Sequence, residues 1–539
     1  MATEVEKKVS LKRASYPEKI GVSSKAIEAL IDDFKESNVE IHSMMILSGG
    51  KVAFESWAEP YSPDLPHAMY SVSKTFTSAA IGFAVSEGLI TVDTKLIDIF
   101  PEFKPEKPDP NLEKLTIHSL LTMQAGKNIS VYADKTDPNW EKQFFESPWG
   151  FAPCDGNWQY ISENQYMLCS VIHRVTGECV VSYLKPRLFD PLGIDVPDWE
   201  LSPSGVEAGG WGLFIKTEDL AKFVNCYQHG GKFGRKQVIP AEWVHQTLRR
   251  HADNSRANKL PDSQSGYGYC IWHCAGAPAW RMDGMFSQFG FMFKDRDASI
   301  IFTGGEIDEQ KTRDCLWRHV KDLFIEPDSE PKADHKIGLA PLADIVYSSE
   351  RSSIEEKIEG RNIKFRKNLI LSAAGFPVSM LPLPTVYMSA QKAGNINNVQ
   401  FRFSENECTM EWDEGFEHNI ITCGMDGKYR TSPIRLANMN FTAYSTAAWT
   451  AENTLQINMR PVESVARRTI EFVFDDNGKD VIFKPSSQQP MSAMADNLAA
   501  DVDVFFPGFL EPVGVVAFDQ LPWIIDATHK GYFEENTEE

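Results

Sequence analysis

Apolar positions recur at helical spacing in several stretches of the first 325 residues. Ser23 and Ser24 can cap a helix whose stripe Ile27, Leu30 and Ile31 runs on to Phe34. Residues 42–47 and 52–57 are extended apolar runs around Ser48-Gly49-Gly50-Lys51, the pattern of a β-hairpin. Ala79, Ala80, Phe83 and Ala84 then mark a helix that Gly88 closes and that begins near Met69-Tyr70-Ser71-Val72-Ser73-Lys74. Helix, hairpin and helix in this order predict a sheet packed against helices.

Further on, residues 116–123 predict a short helix ending toward Gly126, and residues 127–157, rich in Pro, Asn, Trp and Asp, an irregular segment of the kind that walls or covers a site. Trp158 to Asn164 opens a helix over 166–175 stopped by Gly177. Another helix, over 217–227 with Thr217 as its cap, follows Gly209-Gly210-Trp211-Gly212. Residues 289–293 and 299–303 read as neighbouring strands, and the amphipathic run 310–325 as a closing helix. The composition then turns to Pro, Asp, Ser, Glu and Lys, as linkers do, before alternating segments at 399–403, 469–474 and 481–483. The expected division is a domain at 1–326, a linker at 327–360 and a β-rich domain at 361–539. No internal repeat is evident, and no catalytic grouping stands out in the C-terminal part.

Composition narrows the function. A chain of 539 residues exceeds one ordinary core, which agrees with two domains and leaves room for a third. A net charge of -21 argues against a phosphate backbone as ligand, and no apolar run is long enough to span a bilayer. The polar N-terminus lacks the apolar core of a signal peptide, and nine irregularly spaced cysteines fit reduced thiols, so a cytoplasmic location is expected.

The candidate chemistry begins at Ser71 and Lys74. At the start of a helix, residues three apart share a face, so a hydroxyl and an amine come within reach of each other. An unassisted serine is a poor nucleophile, and a lysine can take its proton only where burial or other cations depress its pKa. A helix N-terminus adds free N–H groups and a positive dipole end that favour a developing anion. Alone, this spacing is common in exposed helices, so partners elsewhere decide its meaning.

Three elements align in order: Ser71-x-x-Lys74, Tyr160-Ile161-Ser162, and the turn at Met282-Asp283-Gly284. They resemble the Ser-x-x-Lys, Tyr-x-Asn and Lys/His/Trp-x-Gly elements of the serine hydrolases of the class C β-lactamase and penicillin-binding-protein superfamily. Residues 115–126, 151–177 and 209–220 are similar to further segments of that family, so the resemblance covers roughly 15–325. It implies an antiparallel sheet flanked by helices with a helical subdomain, an α/β (α+β) fold. It also implies an acyl-enzyme at Ser71, proton transfer shared by Lys74 and Tyr160, and an oxyanion hole from the backbone N–H groups of Ser71 and Met285. No cofactor is implied. Related D-aminopeptidases append barrels, which by analogy makes the C-terminal domain barrel-like.

Two departures bear on the substrate. Ser162 replaces the asparagine, as in 6-aminohexanoate-oligomer hydrolases and family VIII esterases, and can still bond Lys74 with a shorter reach. Met282 stands where a cation is usual, which removes the anchor for a β-lactam carboxylate. Asp283 supports the turn more readily than it enters the site. The expected function is hydrolysis of a small amide, peptide-like or ester substrate. β-Lactamase or D-aminopeptidase activity is the alternative, and a non-catalytic acyl-binding sensor is the reading of another class. A small molecule is the expected partner, with self-association into a homo-oligomer left open.

Two decoys carry less. Cys270-Ile271-Trp272-His273-Cys274 has metal-ligand types, but in a strand its side chains split between two faces and no second Cys/His pair accompanies it, so no metal is expected. Ser73 neighbours Lys74 on a different part of the helix surface and reads as a network hydroxyl.

Overall fold

The structure is a computed structural model that describes residues 9–128, 138–256, 260–328, 330–331, 336–342, 350–366, 380, 395–436, 438–465, 467–475, 477, 479–487 and 528–534. The chain divides into two compact units, Met1–Ala340 and Pro341–Glu539.

In the first unit, α1 (Ser24–Glu36) is capped by Ser23, whose side chain accepts from the Ala26 N–H, and it buries Ile27, Leu30 and Phe34. The hairpin of β1 (Ile41–Ser48) and β2 (Lys51–Trp57) turns at Gly49 and Gly50, both left-handed at φ 56° and 69°. The short strand β3 (His67–Ala68) leads into the buried helix α2 (Ser73–Ser86). Next come α3 (Ile117–Leu121), α4 (Trp140–Glu146) and α5 (Glu163–Thr176). The short pair β4 (Asp198–Trp199) and β5 (Leu213–Ile215) precedes α6 (Thr217–Gln228). The unit ends with β6 (Trp272–His273), β7 (Ala279–Gly284), β8 (Gln288–Phe293), β9 (Ala298–Gly304) and α7 (Glu309–Leu323).

The main sheet is antiparallel with order β2-β1-β9-β8-β7-β6. Alternation sorts its two faces. Phe289, Phe291 and Phe302 join Phe34 of α1 and Leu316 of α7 in one core. Gly290, between two of them, points the other way, and a Cβ there would lie 2.5 Å from Val224 of α6. On that second face α2 stacks on α6, with the Phe76 and Phe223 rings 3.8 Å apart. Helix α2, which carries Lys74, is therefore held between the sheet side and α5, in the expected α/β arrangement.

Four local expectations are corrected. The segment 127–157 is not wholly irregular, because Trp140, Phe144 and Phe145 bury one face of α4; residues 129–137 lie outside the described residues. α5 starts three residues early, at Glu163, with Ser162 at its N-cap. Thr217 is the first residue of α6 and not its cap, its hydroxyl being bonded to Ser43 Oγ at 2.8 Å. Only Trp272 and His273 of the Cys270–Cys274 run are strand, since Cys270 is left-handed at φ 62°.

The second unit is a β-barrel. Its strands are β10 (Ile363–Phe365), β11 (Ile396–Phe403), β12 (Glu407–Glu414), β13 (Glu417–Gly424) and β14 (Arg430–Leu436). They continue with β15 (Met439–Ala451), β16 (Thr454–Pro461), β17 (Arg468–Phe474), β18 (Asp480–Ser487) and β19 (His529–Phe533). Their order is β13-β12-β11-β10-β19-β18-β17-β16-β15-β14. The two ends of that order meet: Asn419 of β13 and Arg435 of β14 exchange hydrogen bonds at 2.9 and 2.7 Å, and Gly424 of β13 also pairs with Thr446 of the adjacent β15. Along β12, Cys408, Met410, Trp412 and Glu414 point inward, the period-two burial of a closed sheet.

Candidate active site

Ser71 sits where a strand hands over to a helix. β3 pairs with β5, the Met69 N–H donates to Leu213 O at 2.8 Å, and Tyr70 turns the chain at φ 45°. A single 3-10 turn, Tyr70–Val72, then feeds α2, leaving Ser71 half-buried at its N-terminal end. Ser73 is fully buried, donates to Tyr70 O at 2.5 Å and accepts from the Leu213 N–H at 3.2 Å, so it fastens this turn to β5.

Lys74 is buried, and its Nζ lies 2.7 Å from Ser71 Oγ, 3.0 Å from Ser162 Oγ and 2.7 Å from Gly210 O. Burial pulls its pKa down to about 7, with Cys270, Glu163 and Asp283 opposing the fall. The three partners permit a neutral amine with its lone pair on Ser71. Gly210 O can only accept, and Ser162 Oγ can accept the second proton of a neutral amine. The lone pair is then left for the O–H of Ser71. Tyr160 is half-buried, with its ring 4.7 Å from Lys74 Nζ and 5.3 Å from the ring of Trp272. Desolvation pushes its hydroxyl well above the usual tyrosine value, against a hydrogen bond with Ser71 that favours ionisation, so it stays protonated.

The third element reaches the same place. A Cβ on Gly284 would stand 2.4 Å from Met69 O and 3.2 Å from Val72 N, so glycine lets the end of β7 lie against the turn that carries Ser71. Met285, the next residue, lies in the turn between β7 and β8. Met282 is buried beside Gly290, on the α6 face. Asp283 points to the opposite face, 2.5 Å from Arg281 Nε and 3.5 Å from Arg313. It supports the turn and acts on Lys74 through its charge.

Sequence reasoning missed Gly210, whose carbonyl holds Lys74. The signal was present in the glycine group: a Cβ at Gly210 would meet Ser162 O and Cβ at 2.7 Å. It also missed Glu163, a buried carboxylate directly after Ser162. The cysteine decoy disperses, with Cys270 Sγ near Gln165 and Cys274 Sγ near Arg281. Among the described residues no group of His, Cys, Asp and Glu could hold a metal ion.

Over 227 residues the chain is 25% identical to the 6-aminohexanoate-dimer hydrolase of Paenarthrobacter ureafaciens, covering 38% of this chain and 56% of that one. Over 173 residues it is 27% identical to the lovastatin esterase of Penicillium rubens, covering 27% and 43%. The chain thus spans about half the length of these curated relatives. An octameric penicillin-binding protein homologue from Pyrococcus abyssi superposes with a TM-score of 0.43 at 14% identity, over 85% of this chain and 97% of that one. The Beta-lactamase family model matches residues 27–304, more than half of the sequence, and contains Ser71, Lys74, Tyr160 and Gly284; the chain belongs to the beta-lactamase family.

Proposed function

We propose that this protein is a serine hydrolase that works through an acyl-enzyme at Ser71 on a small amide, peptide-like or ester substrate. The observation that carries the reading is Lys74: a buried amine with its pKa lowered to about 7, 2.7 Å from the Ser71 hydroxyl and held there by Ser162 and Gly210. Neutral Lys74 takes the Ser71 proton as Oγ attacks the carbonyl carbon. The N–H groups of Ser71 and Met285 receive the oxyanion. Tyr160, still protonated, gives its proton to the leaving nitrogen or oxygen and is reprotonated from Lys74. Water then loses a proton to the same pair, attacks the acyl carbon, and Ser71 leaves with its proton restored.

The named activities of the two curated relatives, on an amide dimer and on an ester, support this substrate range. β-Lactams rank lower. Met282 provides no cation, and the nearby Arg281 guanidinium is engaged with Asp283, Asp262 O and His273 O. The nine free cysteines favour a reducing, cytoplasmic setting, and no helix among the described residues is long and apolar enough to cross a membrane.

A fluorophosphonate probe tests the reading. The wild type is expected to label and Ser71→Ala not to; labelling independent of Ser71 removes the hydrolase. A panel of p-nitrophenyl esters, D- and L-amino-acid amides and a chromogenic cephalosporin then orders the substrates. The cephalosporin is expected among the poorest, and its coming first would refute the argument from Met282. Labelling without turnover of any substrate would indicate an acyl-binding sensor.

A further inference from the structure

The proposed oxyanion hole needs two N–H groups, those of Ser71 and Met285, aimed at one oxygen. The first is set by the start of a helix. The second lies in the three-residue turn that joins the paired positions Gly284 and Gln288. Two consecutive residues of that turn, Phe286 and Ser287, are left-handed at φ 64° and 69° without being glycine. For a residue with a Cβ this conformation is strained by contact with the following carbonyl. Such a backbone persists only where its surroundings over-determine it.

One side chain supplies much of that restraint. Gln288 is fully buried, and its Nε2 lies 3.2 Å from Met285 O, 3.0 Å from Phe286 O and 2.8 Å from Gly304 O, while its Oε1 accepts from the Gly304 N–H at 3.3 Å. Only this orientation of the amide places donors on the carbonyls and the acceptor on the N–H, so the side chain ties the turn to the end of β9. The neighbours of Gln288 extend the tie. Ser287 Oγ shares a hydrogen bond with Thr312 at 2.8 Å, and the Phe286 ring meets that of Tyr70, the residue before Ser71, at 5.0 Å. The turns carrying the two N–H groups are thereby held against each other.

We infer that Gln288 is a positioning residue of the acyl-transfer site, fixing the Met285 peptide so that its N–H reaches the oxyanion. The inference rests on the acyl-transfer reading above. Gln288 acts through the turn and not on the substrate, so its loss lowers the rate of chemistry more than the binding of substrate.

The test uses the full chain with p-nitrophenyl acetate and a fluorophosphonate probe, each rate taken per folded molecule. Gln288→Met keeps the length and removes both donors. It is expected to lower kcat and the Ser71 labelling rate by about 10- to 100-fold, below the 10²–10³ of deleting a donor outright, with KM changed less than about threefold. Gln288→Glu adds a readout that packing would not move: a carboxylate offers no proton, a carboxylic acid offers one. The ratio of its rate to the wild-type rate is expected to rise as pH falls from about 8 to about 5. If Gln288→Met labels and turns over like the wild type with only a lower melting temperature, or if the Gln288→Glu ratio is flat, the inference is overturned. Should Gln288→Met fail to fold, that ratio alone decides. A wild type that does not label at Ser71 removes the acyl-transfer reading itself, a result distinct from a labelled wild type with an indifferent Gln288.

Discussion

Lys74 and Lys127 are both buried, and desolvation lowers both, to about 7 and about 8. Their neighbours differ. Lys127 Nζ donates to Phe145 O at 2.9 Å and Ser147 O at 2.7 Å and lies 4.0 Å from the Trp149 ring, none of which can give it a proton. Lys74 has two hydroxyl partners, Ser71 Oγ and Ser162 Oγ, that can also give a proton. Burial prepares a lysine to act as a base, and a hydroxyl on its remaining direction gives it something to do. Lys127 instead ties the end of α4 to the chain after α3.

The contrast breaks most visibly in turnover. Lys74→Met is expected to lose about 10³-fold in kcat/KM on the best ester of the panel, the range of a positioned acid or base. Lys127→Met is expected to stay within about threefold. Equal losses in the two variants would dissolve the distinction.

Stability should move in the opposite sense. Lys74 has a folded pKa of about 7 against an ordinary value of 10.5, so between these values the unfolded chain holds more protons and stability rises with pH. The penalty is complete below pH 7 and gone above about 10.5. Lys74→Met is thus expected to be more stable than the wild type at pH 6, by about 3 kcal/mol once relaxation around the buried charge is allowed for, with the gain fading toward pH 10.5. Urea unfolding at several pH values measures it, and a gain that grows with pH would contradict the sign. Lys127→Met relieves a smaller penalty of the same sign, its pKa being lowered only to about 8, and leaves two carbonyls without their donor, so it is expected to gain less than Lys74→Met in the same assay. The smallest effect is expected at Ser162→Ala, which frees one Lys74 proton and should slow labelling about 10-fold; no change would mean that Gly210 alone orients the amine.

What the sequence disclosed depended on whether a role leaves a side-chain signature. The roles proposed for Ser71, Lys74 and Tyr160 are side-chain roles at helix spacing or at a helix start, and their elements follow from apolar periodicity. Gly210 acts through a carbonyl, which any residue possesses, and only its crowding against Ser162 singles it out. Gln288 sits at a strand start where a buried amide has no periodic mark. α4 was hidden because its apolar positions span barely two turns between Pro138 and Pro148. The residues of the second unit read only as β-rich and its barrel was expected by analogy alone, since closure rests on contacts such as Asn419 with Arg435 that no local pattern encodes.

The central claim is that Lys74 is the base for Ser71 because burial has made it neutral near physiological pH. Its most direct test is the pH dependence of the second-order rate constant for fluorophosphonate labelling of Ser71. The account predicts a rate that rises with a single ionisation near pH 7 and is level from about pH 8 to 9. A rate that is flat from pH 5 to 9, or that rises only near the ordinary lysine value of 10.5, would contradict it.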